Sequence, residues 1–192
     1  MNRTKTLLIS ATAFVAALTL AGCADTAGTT SSDSSASSES AVFNDQDVMF
    51  AQMMLPHHEQ AVEMSDTLLD KSDSVDSDVV ALAQTIKDEQ APEIEQLTTW
   101  LEVWDQDTSA SMDHSMDGMM SESDMTALED AEGTDAARLF LEQMTEHHNG
   151  AVEMAQEEID GGESPDAVEM ANNIVESQTA QIEQMEALLS SL

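Results

Sequence analysis

The segment MMLPHHEQAVEM, from Met53 to Met64, places two adjacent histidines between methionines. A second segment, QMTEHHNGAVEM, from Gln143 to Met154, repeats the pattern M-x-x-H-H-x-x-A-V-E-M. The chain contains 5 histidines in all, so these two segments hold all but one of them. The duplication predicts two copies of one structural unit with histidine pairs at equivalent positions.

Apolar residues around each histidine pair recur at the spacing of an α-helix. From Asn44 to Asp70 they are Phe50, Met54, Ala61, Met64 and Leu68, and Asn44 or Asp45 is placed to cap the helix start. In the second half, Gly161-Gly162 is a helix stop and Ser164-Pro165 a helix start. The pattern predicts four helices, at about 44–70, 79–104, 134–160 and 165–189.

A second repeat predicts how these helices pair. The segment IKDEQAPEIEQLTTWL, residues 86–101, parallels IVESQTAQIEQMEALL, residues 174–189. Each half is therefore a helical hairpin whose apolar stripe needs a partner, and two such hairpins predict an all-α four-helix bundle with a pseudo-twofold axis. Pro56 and Pro92 fall inside the first and second helices, where each is expected to kink or break the helix.

The N-terminal residues have the features of an export signal. Arg3 and Lys5 precede an apolar run, residues 7–20, that is shorter than the roughly 20 residues of a membrane-spanning helix. The sequence Leu-Ala-Gly-Cys ending at Cys23 resembles a bacterial lipobox, which implies cleavage before Cys23 and attachment of acyl chains such as palmitate; the alternative is an exported protein with a spare cysteine. We predict a signal peptide at 1–22, a lipidated flexible tether at 23–42, and a bundle domain at 43–192 with a Met-rich loop at 105–133.

Composition limits the classes of function. The chain has 39 acidic and 5 basic residues, which argues against nucleic acid as a partner. Most of the carboxylates are expected on solvated surfaces, among them Glu63 and Glu153 on the outer faces of their helices. Because Cys23 is the only cysteine, packing alone must hold the mature fold, and thiolate metal sites and disulfides are excluded.

The histidines and methionines of each repeat fall on the core-facing sector of their helix, at about 100° per residue. One buried imidazole is most simply a structural group, and one methionine is most simply core filler. Four imidazoles in one small core instead favour a metal site, because ligation satisfies several ring nitrogens at once. The predicted ligands are Met54, His57, His58, Met64, Met144, His147, His148 and Met154.

Two glutamines also occupy matching positions in the repeat. Gln90 and Gln178 fall on the apolar stripes of the second and fourth helices. Each is interpreted either as a hydrogen-bond partner that orients a histidine ring or as an amide at the rim of the bundle.

Ligand softness indicates which metal to expect. Thioethers favour Cu(I) and Ag(I), whereas imidazole also accepts Cu(II) and zinc, so a mixed set predicts copper. A second candidate site lies in the acidic connection, which we expect to be a loop with no core to fill. Its predicted ligands are Met112, His114, Met116, Met119 and Met120, with Met125 nearby.

The segment FAQMMLPHHEQAVEM, its second copy and the pattern Q-x-x-E-I-x-x-L-x-x-W-L at residues 90–101 together resemble the domain-of-unknown-function family numbered three hundred and five. That resemblance implies a ferritin-like four-helix bundle in an exported bacterial protein, with some members implicated in copper binding and copper resistance. Pro56 fits the family pattern, whereas the second copy has Glu146 at that position. Gln181 also stands where the first copy has Glu93, so the two halves need not bind metal equally.

Three functions follow from these observations. The leading hypothesis is a lipid-anchored extracytoplasmic protein that sequesters copper or passes it on, without catalysis. The second is a ferritin-like di-iron redox enzyme. Such centres use Glu-x-x-His motifs, but the positions three residues before the histidines hold Met54, Leu55, Met144 and Thr145. A haem protein with His/Met ligands is a further alternative, although the chain has no C-x-x-C-H attachment motif. The third is a bundle for protein contacts at the cell surface. Candidate partners are the membrane, metal ions, a copper-handling protein and a second copy of the chain in a homodimer.

Overall fold

The structure, a computed structural model, describes residues 42–108 and 118–192. These residues belong to one compact unit with five α-helices and no strand. Within this part of the chain, no helix is both long and apolar enough to cross a membrane. The predicted signal peptide, Cys23 and the predicted tether up to residue 41 lie outside the described residues. The helices are α1 Asp45–Leu69, α2 Ser77–Val103, α3 Glu122–Asp130, α4 Gly133–Gly161 and α5 Pro165–Leu189.

The helix starts follow local sequence chemistry. Asn44 caps α1, its side chain accepting from the N–H groups of Gln46 and Asp47, and the Asp47 side chain completes a capping box. Ser164 caps α5 with Pro165 in the first turn, where the missing N–H costs nothing. The all-α class and the four long helices of the predicted bundle are confirmed.

The two internal prolines do not break their helices. Pro56 lies inside α1 and Pro92 inside α2, and both helices continue through them. Each proline removes one hydrogen bond of the helix. The residues on both sides of Pro56, Leu55 and His57, are buried, so tertiary packing holds the helix across the missing bond.

The helices bury two separate apolar clusters. The Phe140 cluster lies toward the end of α1 and the beginning of α2, and it comprises Ala61, Met64, Leu68, Val79, Leu82, Ala83, Ile86, Met120, Leu128, Ala136, Ala137, Phe140, Leu141, Met144 and Met185. The Phe50 cluster lies toward the opposite ends of these helices, and it comprises Phe50, Ala51, Met54, Leu55, Leu97, Leu101, Trp104, Ala151, Met154, Ala155, Ala167, Ala171 and Ile174. Burial of these side chains supplies the main driving force for folding.

The clusters also show how the two hairpins are arranged. α1 packs along α2 and α4 along α5, and the hairpins meet mainly through α1 and α4. Early residues of α1, such as Phe50, share a cluster with late residues of α4, such as Met154. Likewise Asn44, at the start of α1, donates from its side chain to the carbonyl of Gly161 at 2.8 Å. The two helices that carry the histidine pairs are therefore antiparallel neighbours.

The connection between the hairpins contains more structure than its sequence pattern predicted. α3 forms within it, capped by Ser121 and Asp124, and buries Leu128 in the Phe140 cluster. The Lys71 ammonium, in the turn after α1, donates to the carbonyls of Leu128, Glu129 and Ala131 at the end of α3. A nine-residue helix is marginal alone, so this docking stabilises it.

Asp47 ties the start of α1 to the connection between α4 and α5. Its buried carboxylate accepts hydrogen bonds from the backbone N–H groups of Asn44 at 2.6 Å, Ser164 at 2.8 Å and Glu163 at 3.1 Å. Burial acts to raise the pKa of Asp47, but these hydrogen bonds outweigh it and lower the pKa from its ordinary value. Burial and the neighbouring Asp47 carboxylate raise the pKa of Glu158 to about 8. At neutral pH, Asp47 is therefore charged and Glu158 holds its proton.

Glycine ends α4 for a reason that its sequence position alone did not indicate. Gly162 has a φ of −71°, so it does not use the left-handed conformation typical of a glycine cap. A Cβ atom at Gly162 would instead collide with the backbone carbonyl oxygen of Glu158, at 2.8 Å, as well as with the Glu158 carboxyl group. The close approach, rather than the backbone angle, requires glycine.

Replacing Asp47 with alanine should lower the free energy of unfolding by about 3 kcal/mol, because it leaves several backbone N–H groups without their acceptor. Urea unfolding monitored by circular dichroism measures this loss. Asp45→Ala is the matched control, since Asp45 is an exposed acid in the same helical turn, and its effect should stay within about 0.5 kcal/mol. Equal losses in the two variants would show that Asp47 does not link the two segments.

Candidate metal centre

Seven polar side chains form a buried layer between the two apolar clusters. The four histidines are 0% exposed, which confirms their predicted inward orientation. Each long helix contributes cluster residues on both sides of its polar members. We call this set the polar layer: His57, His58, Gln90, His147, His148, Gln178 and Gln181.

The two histidine pairs meet at the contact between α1 and α4. The ring centroids of His57 and His147 are 3.7 Å apart, with 41° between the ring planes. The centroids of His147 and its neighbour His148 are 6.4 Å apart. Because α1 and α4 are antiparallel, equivalent histidines of the repeat face each other, as the duplication predicted.

The four predicted methionine ligands flank this layer in two pairs. Met54 and Met154 belong to the Phe50 cluster, and Met64 and Met144 belong to the Phe140 cluster. The antiparallel arrangement therefore places two thioethers on each side of the imidazoles. In the described ranges, no group of three or more His, Cys, Asp or Glu is arranged to hold a metal ion. The structure instead buries four imidazoles in this layer and a pair of thioethers in each flanking cluster.

The second histidine of each pair, His58 or His148, is hydrogen-bonded through Nε2. His58 Nε2 lies 2.8 Å from Glu93 Oε2, and His148 Nε2 lies 2.7 Å from Gln181 Oε1. Gln181 in turn donates from Nε2 to Glu89 Oε2 at 2.8 Å. The repeat comparison had already shown that Glu93 and Gln181 are equivalent positions, but Glu89 gave no signal of its own in the sequence.

Gln90 and Gln178, which were predicted as possible partners of the histidine rings, lie about one helical turn before the residues that bond to the rings. Gln90 and Gln178 are buried in the polar layer, at 3% and 2% exposure. The hydrogen bonds to His58 and His148 nevertheless come from residues three positions further along α2 and α5. The helical periodicity predicted the correct buried faces of α2 and α5, whereas the partner of each ring depends on how the helices are aligned along their axes.

Many polar atoms of the layer have no hydrogen-bond partner among the described protein atoms. They are Nδ1 of His58 and of His148, both ring nitrogens of His147, both polar side-chain atoms of Gln90, and Oε1 of Gln178. An unsatisfied buried polar group costs about 1–3 kcal/mol, and native proteins contain few of them. Their concentration in one layer indicates a site with capacity for a ligand.

Burial also sets the protonation of the α4 histidines. For His147, burial acts first and the nearby histidines, led by His57, add to it, so its pKa lies well below the ordinary value. For His148, burial outweighs the opposing hydrogen bond of Gln181 and lowers the pKa to about 4. Both rings are therefore neutral at neutral pH, and neutral imidazole is the form that binds metal ions.

The family of the chain is decided by a match over most of its length. Residues 47–189 match the family described as "Domain of unknown function (DUF305)". The chain belongs to the DUF305 family. The matched range contains both histidine pairs and confirms the resemblance seen in the sequence.

Solved structures similar to this DUF305 chain share its fold. A DUF305 protein from Streptomyces coelicolor, described as a candidate secreted protein, is 34% identical with a TM-score of 0.72, and the alignment covers 76% of this chain and 93% of that one. A DUF305 fragment from Deinococcus radiodurans is 32% identical with a TM-score of 0.70, covering 78% and 98%. CopM in its Cu(I)-bound form is 30% identical with a TM-score of 0.64, covering 76% and 96%. CopM has also been solved in Cu(II)-bound and silver-bound forms. No functionally curated protein matches the chain.

The predicted loop site of the DUF305 chain is only partly described. Met112, His114 and Met116 lie outside the described residues. Met119 is half-buried, and Met120 is buried against the Phe140 cluster. Gln60 fixes the Met120 backbone from α1, donating to its carbonyl at 2.9 Å and accepting from its N–H at 2.7 Å.

Two methionines of the connection thus have a packing role that the sequence did not indicate. Met125, on α3, packs against the same cluster as Met120, so the expectation of a loop with no core to fill was wrong for both. They also line a groove of about 440 Å³ together with Glu63 and Glu122. Glu63 and its repeat equivalent Glu153 are exposed, as predicted.

Acid should destabilise the metal-free DUF305 domain through the polar layer. The folded pKa of His148 lies below the unfolded value, so the unfolded chain takes up a proton that the folded chain refuses as the pH falls from 6.5 toward 4. The contribution is fully present above pH 6.5 and is lost on acidification, by about 3 kcal/mol at pH 4. Urea unfolding of chelator-treated protein between pH 7.5 and pH 4 measures it.

His148→Gln is the control for this pH dependence, because it removes the titrating ring and keeps a polar side chain. The carboxylates and the other histidines are present in both proteins, so their contributions to the pH dependence cancel. The difference between the two curves therefore reports on His148 alone. Parallel curves would show that His148 is not held neutral by burial.

Proposed function

We propose that this protein is an exported, lipid-anchored copper-binding protein that sequesters copper or passes it to a partner, without catalysis of its own. The observation that carries the proposal is the polar layer, in which buried imidazole nitrogens without hydrogen-bond partners lie between two pairs of thioethers. A bound cation would satisfy several of these nitrogens together.

The chemistry of the donors supports copper over harder metals. Imidazole and thioether are neutral ligands, and thioethers bind Cu(I) and Ag(I) in preference to magnesium, calcium or manganese. A monovalent ion also brings the smallest charge into a buried site made of neutral ligands. The proposed ligand set is drawn from Met54, His57, His58, Met64, Met144, His147, His148 and Met154.

The comparisons support the same metal. CopM, of similar fold and 30% identity, has been solved with Cu(I), Cu(II) and silver bound. The similarity to a candidate secreted protein of Streptomyces coelicolor agrees with the predicted export. Copper handling at the outer face of the cytoplasmic membrane, with Cys23 as the lipid attachment, is the function most consistent with both.

The acidic surface and the Met-rich connection suggest how copper reaches the core. A formal net charge of −34 raises the concentration of cations near the surface. Met112, His114 and Met116 precede Met119 and Met120 in the chain, and Met120 packs against the Phe140 cluster that contains Met64 and Met144. We propose that this connection captures copper and that the polar layer holds it.

Replacing a core methionine with leucine should weaken Cu(I) binding while leaving the fold intact. The exchange keeps the side-chain volume and removes the sulfur. Competitive Cu(I) titration of the mature chain should show that Met54→Leu and Met144→Leu each lose at least about tenfold in affinity, which is about 1.4 kcal/mol.

Met49→Leu is the matched control, because Met49 lies on α1 but is 36% exposed. His57→Ala and His147→Ala should abolish core binding, with thermal melting used to confirm that both variants fold. Wild-type affinity in the histidine variants would refute a core copper site.

The loop is tested separately by Met112→Leu, His114→Gln and Met116→Leu in one chain. These substitutions avoid Met120 and Met125, whose removal would disturb the core. The triple variant should keep its tightest site and lose any weaker one in the Cu(I) titration. Complete loss of Cu(I) binding would instead assign the site to the loop and leave the histidines structural.

A further inference from the structure

We infer that Glu93, together with Gln181 held by Glu89, fixes His58 and His148 as tautomers that carry their proton on Nε2, so that Nδ1 of each ring is the atom offered to copper. The inference rests on the proposed function for the metal. The tautomers themselves are properties of the metal-free chain. Nothing in the sequence pattern distinguishes the two nitrogens of either ring.

The first tautomer follows from the partner of His58. Glu93 Oε2 lies 2.8 Å from His58 Nε2, and a carboxylate can only accept a hydrogen bond. Nε2 must therefore donate, and in the neutral form of the ring, which is the form that binds a metal ion, the lone pair is on Nδ1. That Nδ1 atom is buried and has no partner among the described atoms.

The second tautomer needs one more step, because an amide can either donate or accept. Gln181 Nε2 lies 2.8 Å from the Glu89 carboxylate, which requires the NH₂ group of the amide to face Glu89. The amide oxygen must then face His148, so His148 Nε2 donates to it at 2.7 Å. His148 Nδ1 is left with a lone pair, buried and without a partner among the described atoms.

One helix supplies both carboxylates that set these rings. Glu89 and Glu93 are one turn apart on α2, and they act on histidines of two different helices, α1 and α4. Glu93 reaches its ring directly and is 22% exposed, whereas Glu89 acts through the buried amide of Gln181. In both halves of the repeat the acceptor thus lies at the equivalent helix position and bonds to Nε2, but it is a carboxylate in the first half and an amide oxygen in the second.

The difference gives the two rings unequal strength as ligands. A carboxylate accepting from the far nitrogen raises the basicity of an imidazole, and loss of such a partner typically weakens metal binding about 10–100-fold. His58 has this negative partner, and His148 has a neutral amide instead. The structure therefore makes His58 the stronger nitrogen donor of the pair.

Nitrogen-15 NMR of the imidazole rings tests the tautomers in the chelator-treated mature chain. His58 and His148 should each show a protonated Nε2 and an unprotonated Nδ1. Glu93→Gln should produce a mixture of tautomers at His58 and leave His148 unchanged. Glu89→Ala should do the reverse, because the Gln181 amide is then free to turn over. Nδ1–H tautomers in the wild-type chain would overturn the inference.

Cu(I) titration then tests the ligand role. Glu93→Gln should weaken Cu(I) binding by about tenfold or more, since it keeps the shape and removes the charge. Glu95→Gln, an exposed carboxylate on the same helix, is the control and should bind as wild type does. Wild-type affinity in Glu93→Gln would overturn the inference but leave copper binding intact. No Cu(I) binding by the wild-type chain would instead overturn the proposed function, whatever tautomers the metal-free spectra show.

Discussion

Burial of four imidazoles in the centre of a small bundle is the constraint on which the rest of the structure depends. Each ring brings nitrogens that need partners into a region where water is excluded. Side chains of α2 and α5 provide a hydrogen-bond partner for two of the rings: Glu93 for His58 and Gln181 for His148. His147 receives no side-chain hydrogen bond from the described residues, and its ring lies against that of His57 with 41° between the ring planes. Apolar clusters on both sides then make up the stability that the polar layer costs.

Duplication explains why the four histidines of the two repeats lie in a single layer. An antiparallel pair of equivalent helices brings the midpoint of one repeat against the midpoint of the other, so both histidine pairs meet at one level. The same symmetry sorts the methionines, placing one from before and one from after the histidine pairs in each cluster. The symmetry is incomplete where Glu93 is matched by Gln181, and there the second half needs Glu89 to orient its amide.

Much of this was predictable from periodicity, and the exceptions share one physical cause. The helix starts at Asn44 and Ser164 follow from local capping. The buried positions of His57 and His147 follow from the 3.6-residue repeat of a helix. The partners of His58 and His148 depend on how far one helix is displaced along another, which no single-helix pattern encodes. α3 is similar, because its nine residues are stable only when Lys71 and the Phe140 cluster hold them.

Burial of the histidines also changes how a metal ion would compete with protons. An exposed imidazole must lose its proton to bind copper in mild acid, which makes affinity depend on pH near 6.5. In the folded chain, burial has already lowered the pKa of His148 to about 4 and that of His147 well below its ordinary value. Thioethers bind no proton in this range either. The free energy that exposed sites expend on deprotonation at the moment of binding is here contributed by folding, so a copper site of this kind would keep its affinity as its surroundings acidify for as long as the bundle stays folded.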